Sequence, residues 1–372
     1  MDSLLAGFHR EHPELPIEVT ELSWADGKTK LMAGFNSETA PDVLELGSDW
    51  VAQFSSSWVL MQLDSETVIL PRFSNAPAYS LPSGIWEDHH FAVPWLLDTR
   101  VIFINDDLLK KSSDTSYGSY RSHGTDAWDW QKMQSFAEAD NRQHLAGIGV
   151  NGPDQHRLYK KFLPYIWSNG GELFDSVGHP TMYSPQNIEA LRFYVDQLNY
   201  GEMETQKNLD DAFVRGTLGE WFSGSWLLPQ LAKVPFHWHT EVFPGNDGHA
   251  GESFAGGEYL AINAKSAMKH EAALFLEYIT RPENELAFAR QVNEYPADVK
   301  SQSDTFYLHR REGSVFTAQL AHARMTPVIP QWLDVEAIIE DEVSKALYKK
   351  ETPEEAIASM QRRTLARMTN DE

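Results

Sequence analysis

The 372-residue sequence contains no cysteine. That excludes a disulfide framework, a thiolate metal site and a cysteine nucleophile. It leaves the compartment open, although proteins that fold outside the cytoplasm often do without free thiols. No stretch approaches the roughly 20 apolar residues of a membrane span; Leu4-Leu-Ala-Gly-Phe8 runs straight into His9-Arg-Glu-His12. Positive charge is scarce, with 31 Lys and Arg against 54 Asp and Glu and a net charge of −23. Such a balance disfavours nucleic acid and anionic lipid, and otherwise serves solubility. No signal peptide is visible, so an exported protein would carry its signal upstream of Met1.

Enzyme signatures are also missing. There is no GxSxG elbow, no Walker loop, no GxGxxG and no HExxH. The fourteen histidines are scattered; His89-His90 and His237-Trp-His239 have metal-like spacing but read more simply as strand or loop histidines. No metal site and no cofactor is expected. The many carboxylates could supply the pair that a glycosidase needs, but nothing in the sequence selects one.

What is present is an ordinary globular composition, 42% hydrophobic and 23% charged, in a chain long enough for two domains. Short apolar runs alternate with helical stretches, which predicts an α/β fold. The strands expected are Ile17–Leu22, Val43–Leu46, Phe91–Val93, Val101–Ile104, Gly147–Val150 and Tyr259–Ile262. A helix is expected from Met1 to His12, ended by Pro13. Others are expected over Gly27–Phe35, Asp49–Phe54, Trp130–Asp140, His156–Asn169, Pro185–Tyr200, Asp210–Arg215, Lys269–Thr280, Glu283–Val292, Pro330–Lys349 and Pro353–Met368. Thr352 with Glu355 reads as a capping box, and Ser184-Pro185 as a cap with proline in the first turn. Lys110–Thr125, rich in Ser, Gly and Tyr, reads as a loop.

A set of short motifs follows in order along the chain: Ala40-Pro-Asp-Val43, Ala92-Val-Pro-Trp-Leu-Leu-Asp-Thr-Arg100, Trp167-Ser-Asn-Gly-Gly171, Phe213-Val-Arg-Gly-Thr-Leu-Gly-Glu-Trp-Phe-Ser-Gly-Ser-Trp226, Gly256-Gly-Glu-Tyr-Leu-Ala-Ile262 and Tyr295-Pro-Ala297. Spread over residues 4–368 in this order, they resemble the extracellular solute-binding proteins of bacterial ABC importers, in the sugar-binding family that includes maltose-binding protein. The resemblance implies a two-lobe periplasmic-binding-protein-like fold, type II, with the ligand cleft between the lobes and hinge closure on binding. Crossings between lobes are expected near Ile104-Asn105, Ser253–Gly256 and Asp298–Ser303. They give a first lobe of 1–104 plus 256–299 and a second of 105–255 plus 300–372. Relatives begin with a buried strand before the first helix. This chain opens on the helix, so the first lobe is expected to lack that strand.

The resemblance also nominates ligand-binding residues, with a packing alternative beside each. Twelve Trp supply flat faces for sugar C–H faces, while carboxylates accept from hydroxyls. Trp226 is the leading platform, because in the family its turn faces the cleft from the second lobe. Asp98 either accepts from hydroxyls, with Arg100 holding it, or forms a structural pair with Arg100; Trp95 lies in the same segment. Asp49 either binds hydroxyls or caps a helix. Glu45, toward the end of the strand Val43–Leu46, points either to the cleft or to solvent; Glu258, after Gly256-Gly257, is placed at the cleft by the resemblance. Tyr159 and Trp167, eight residues apart on one helix face, are platform or core. Trp24 and Trp332 are further candidates. Trp58, Trp86, Trp128, Trp130, Trp221 and Trp238 are left to core or surface.

The function so implied is capture of a sugar or oligosaccharide and its delivery to ABC permease subunits, by a periplasmic or cell-surface monomer that is not an enzyme. A secreted glycoside hydrolase with an aromatic-lined cleft is the alternative. A binder of a phosphorylated polyol would need converging cations, and Arg100 alone lies near the nominated residues.

Overall fold

The computed structural model describes residues 1–24, 26–37, 39–64, 81–111, 129–141 and 145–369. The chain divides into two compact units. Met1–Asp98, Gly256–Leu308 and Met325–Leu333 form the first; Thr99–Ala255, His309–Arg324 and Asp334–Glu372 form the second. The strands are β1 (Val43–Gly47), β2 (Ile85–Trp86), β3 (His89–His90), β4 (Ala92–Asn105), β5 (Ala146–Asn151), β6 (Glu202–Glu204), β7 (Leu218–Gly224), β8 (Trp238–Glu241), β9 (Ser253–Ile262), β10 (Tyr295–Pro296) and β11 (Ala323–Arg324).

Two long strands thread both units. The runs expected separately at Phe91–Val93 and Val101–Ile104 are one 14-residue strand, β4, in which every residue but Asp98 is buried. A near-continuous apolar run of this kind suits a strand covered on both faces. β4 carries the chain from the first unit into the second between Asp98 and Thr99, and β9 brings it back between Ala255 and Gly256.

In the first unit β1 pairs antiparallel with β9, Val43 opposite Ile262 and Gly47 opposite Glu258. β10 pairs antiparallel with β4, Tyr295 opposite Leu97. Leu4, Phe8, Trp95, Leu260, Leu276 and Ile279 belong to its core. The first helix, Asp2–Glu11, stops before Pro13 and packs Phe8 edge-on against Phe275 and Tyr278. The strand expected at Ile17–Leu22 does not form: these residues are exposed and no strand pairs with them. Alternation makes a strand only where a neighbour takes the backbone hydrogen bonds and a core covers one face.

In the second unit β7 and β8 both run antiparallel to β4, and β5 runs parallel to β7 and to β6. Helices Trp130–Asn141, Leu158–Ser168, Pro185–Asp196 and Gln206–Val214 bury their apolar faces. Their ends are fixed locally. Ser184 accepts from the Asn187 N–H at 3.2 Å with Pro185 in the first turn. Thr352 and Glu355 close the expected capping box, the Thr352 N–H donating to Glu355 at 2.8 Å and the Glu355 N–H to Thr352 Oγ1 at 3.2 Å. Of the loop expected at Lys110–Thr125, Lys110 and Lys111 end a helix, Asp106–Lys111; the remainder, with Trp128, lies outside the described residues. No described helix is long and apolar enough to cross a membrane.

Candidate functional site

Each unit gathers several of the nominated residues. In the first, the sheet register does the gathering. Glu45 on β1 lies opposite Leu260, two residues from Glu258 on β9, so both carboxyls share one face. Continuing the β4–β10 register by one step sets Glu294 opposite Asp98. Glu294 follows Asn293, whose left-handed backbone (φ 59°) ends the helix Pro282–Val292 and turns the chain into β10.

Two of these carboxyls, Glu45 and Glu258, are held above the ordinary carboxylate range. Burial pushes Glu258 well above the usual carboxylate range, and the charges of Glu294, Glu45 and Asp98 push it further. Its side chain meets both Glu294 and Glu45, so ionising these neighbours together is disfavoured. Glu45 remains open to water, yet the protein around it raises its carboxyl to about 7, offset in part by the bond from Glu258. A neutral acid beside carboxylates offers donor and acceptor together, which is what a row of hydroxyls requires.

Beside them is the turn after β1. The helix there begins at Val51 with Trp50 at its N-cap, and Asp49, just before it, is buried. The Ser48 N–H donates to the Gly257 carbonyl at 2.9 Å, tying this turn to β9. Trp24 stands at 44% exposure, edge-on to Trp50 at 5.4 Å.

In the second unit the organising residue is Asp210, buried on the inner face of helix Gln206–Val214. Its Oδ1 accepts from Trp221 Nε1 at 2.6 Å and Ser223 Oγ at 2.7 Å, and its Oδ2 from Trp226 Nε1 at 3.1 Å. Trp226, half-buried, occupies the turn Ser225–Leu227 that follows β7. Its six-membered ring lies against Gly224, where a Cβ would fall 1.9 Å from Cζ3; only glycine leaves room for it. The Arg100 guanidinium carbon is 5.3 Å from the Trp226 ring and 4.7 Å from Phe254. Buried Lys161 donates to the Phe222 carbonyl at 2.6 Å, its ammonium 5.6 Å from the Trp226 ring.

The other nominated aromatics are packed. Trp95 is fully buried and stacks on Phe288 at 4.8 Å with the rings 4° from parallel. Its place is the first unit's core, because β4 is covered on both faces. Tyr159 is fully buried, edge-on to Phe254. Trp167, 6% exposed, lies under Arg324, which Glu172 and Glu252 hold at 2.7 and 3.0 Å. Trp332 is 1% exposed. The paired histidines face carboxylates: His89 and His90 both meet Asp64, and His237 and His239 meet Asp107 and Asp106. Among the described residues no group of three or more His, Asp or Glu is arranged to hold a metal ion.

Glu294, Asp210 and Lys161 were not singled out from the sequence. Glu294 carries a local signal, standing directly before Tyr295-Pro-Ala297. Asp210 carries none, since nothing local ties it to an indole sixteen residues on.

Known proteins give the same outline. The family model for bacterial extracellular solute-binding proteins matches residues 1–286. An uncharacterised lipoprotein of Streptomyces antibioticus is 25% identical over 89% of this chain and 76% of its own length. The GacH receptor of Streptomyces glaucescens, solved unliganded and with acarbose, superposes with a TM-score of 0.86 at 20% identity, over 99% of this chain and 94% of that one. Maltose-bound MalE3 of T. maritima superposes at 0.83 with 21% identity, over 97% and 94%. The fold is therefore that of the two-lobe periplasmic binding proteins, and the chain belongs to the bacterial extracellular solute-binding protein family.

Proposed function

We propose that this chain is the substrate-binding component of an ABC importer, that it takes a sugar or oligosaccharide outside the cytoplasm, and that it passes it to membrane permease subunits without chemical change. The observation that carries the reading is Trp226. Its indole is fixed at one end by Asp210 and underneath by Gly224, yet it is left half-open. Burial without function would cover it, as it covers Trp95 and Trp332. The flat face suits the C–H face of a pyranose, and Glu45, Asp49, Asp98, Glu258 and Glu294 offer acceptors for hydroxyls. The acarbose and maltose bound by the two solved relatives agree with this class of ligand.

The two units are proposed as the lobes, with β4 and β9 as crossings and closure upon ligand. The glycosidase alternative fits less well. Glycosidase carboxyls stand roughly 5–9.5 Å apart to admit the anomeric carbon or a water, whereas Glu258 hydrogen-bonds directly to Glu45 and Glu294.

Calorimetry against glucose, maltose, maltotriose and maltotetraose tests the reading, with reducing ends assayed after overnight incubation and small-angle scattering at saturation. Saturable binding, a smaller radius of gyration and no new reducing ends are expected. Release of reducing ends would make it a hydrolase, and failure to bind any of these or a wider glycan panel would remove the sugar.

A further inference from the structure

We propose that Asp210 is the positioning residue of the sugar platform: it sets the plane of the Trp226 indole, and so the affinity for a stacked sugar ring, without touching the sugar. This rests on the reading of Trp226 as a platform.

The argument is geometric. A tryptophan side chain has two rotatable bonds, so an indole standing on a turn wanders unless both its ends are fixed. Gly224 fixes one end by letting the six-membered ring lie on the backbone. It cannot fix rotation within that plane, and the polar end must do so. Trp226 Nε1 finds Asp210 Oδ2 at 3.1 Å.

Asp210 is itself held. Its Oδ1 takes Trp221 Nε1 and Ser223 Oγ from β7, at 2.6 and 2.7 Å. The carboxylate is thus registered to the strand before it meets the turn at that strand's end. Three donors occupy three of the roughly four acceptor sites on its two oxygens, and the residue is 7% exposed. The arrangement leaves little room for Asp210 to bind a hydroxyl. Its one variable consequence is where the indole points.

The test is a double-mutant cycle. Asp210→Asn keeps the shape but turns one acceptor into a donor facing an N–H. Trp226→Phe keeps an aromatic platform but has no N–H to hold. Maltotriose affinity is measured for native protein, both single variants and the double variant. If Asp210 acts through the indole, Asp210→Asn weakens maltotriose about tenfold in the native background and less than about twofold in the Trp226→Phe background. An equal factor in both backgrounds, or none in the native one, overturns the proposal, since a purely structural role would act in both alike.

A ligand-free measurement separates this from the sugar reading. In 15N–1H spectra of tryptophan-labelled protein, the Trp226 indole N–H should be protected from exchange and lose that protection in Asp210→Asn. A change confined to Trp221, with Trp226 unmoved, overturns the proposal even if sugar binds. If the native protein binds no sugar, the platform reading falls and the indole signal alone decides whether Asp210 positions Trp226. Should Asp210→Asn fail to fold, Gly224→Ala displaces the same ring from the other end. It should lower maltotriose affinity by a similar factor, and unchanged affinity would overturn the platform geometry.

Discussion

The two units collect polar groups in opposite ways. In the first, Glu45, Asp98 and Glu258 lie on three strands and Glu294 directly precedes a fourth, and their negative charges crowd around Glu258 and keep its carboxyl above the ordinary range. In the second, Asp210 meets three N–H and O–H donors, and cationic Arg100 and Lys161 flank the same indole. The first arrangement should answer to pH, because its hydrogen bonds exist only while one carboxyl keeps its proton. The second should answer to geometry, because its donors and acceptor do not exchange roles.

The sharpest break of this comparison sets one tryptophan against another. Trp95 is fully buried against Phe288, so Trp95→Ala should cost about 3–5 kcal/mol of stability in denaturant unfolding. In whatever fraction remains folded, sugar affinity should stay near native. Trp226→Ala should do the reverse. It should lose about 1–3 kcal/mol of binding, ten- to a hundredfold in dissociation constant, with little change in unfolding midpoint. If both variants lose stability and neither loses affinity, Trp226 is a core residue and the platform is elsewhere.

The sequence singled out Trp226 but not the residues that hold it. Its signal was local: a Ser-Gly-Ser turn after a helix and a strand, within a run of family motifs. Most helices were also legible, since their periodicity and caps are local, as at Ser184 and Thr352. Strand pairing is not local. Ile17–Leu22 alternates well and pairs with nothing, while β4 joins two runs that looked separate across Pro94-Trp-Leu-Leu-Asp98. The same limit hid Glu294, which becomes a neighbour of Asp98 only through the β4–β10 register. Trp95 shows a further limit. It shares a motif with Asp98, yet it is fully buried against Phe288, while Asp98, three residues on, is half-buried. Along a strand covered on both faces, an aromatic within the motif packs whichever way it points.

A smaller effect tests whether pH sensitivity is concentrated in the first unit. Glu285, 3% exposed, accepts from the Asp298 N–H at 2.7 Å and so holds the chain just after β10. Burial pushes its carboxyl up to about 8 from an ordinary 4.5. Below pH 4.5 the group is protonated folded and unfolded alike, so it contributes no slope. From 4.5 to about 8 only the unfolded chain releases the proton, and stability falls as pH rises; above 8 the loss is complete. Glu285→Gln should flatten this window and gain on the order of 1–2 kcal/mol at pH 8, with no gain at pH 4.5. Unfolding midpoints from pH 4.5 to 9 would read this directly, and a variant that tracks the native slope would place the ionisation elsewhere.

The smallest expected effect concerns Glu45, and it decides whether the carboxyl group of the first unit behaves as one system. Its carboxyl is raised to about 7 by the protein around it, offset in part by its hydrogen bond with Glu258. The sign is the same as for Glu285: stability is lost as pH climbs from 4.5 to about 7. Because Glu45 is open to water, the loss should be well under about 1 kcal/mol. The informative readout is therefore its neighbour. Glu45→Gln removes one of the negative charges that keep Glu258 protonated, so the Glu258 carboxyl should release its proton at lower pH, though still above the ordinary range because burial is its leading cause. Carboxyl 13C titration of Glu258 in native and Glu45→Gln protein measures this. An unmoved Glu258 titration would mean that Glu45 and Glu258 titrate independently. The contrast between a pH-sensitive first unit and a geometrically fixed second unit would then fail, even with both sets of contacts in place.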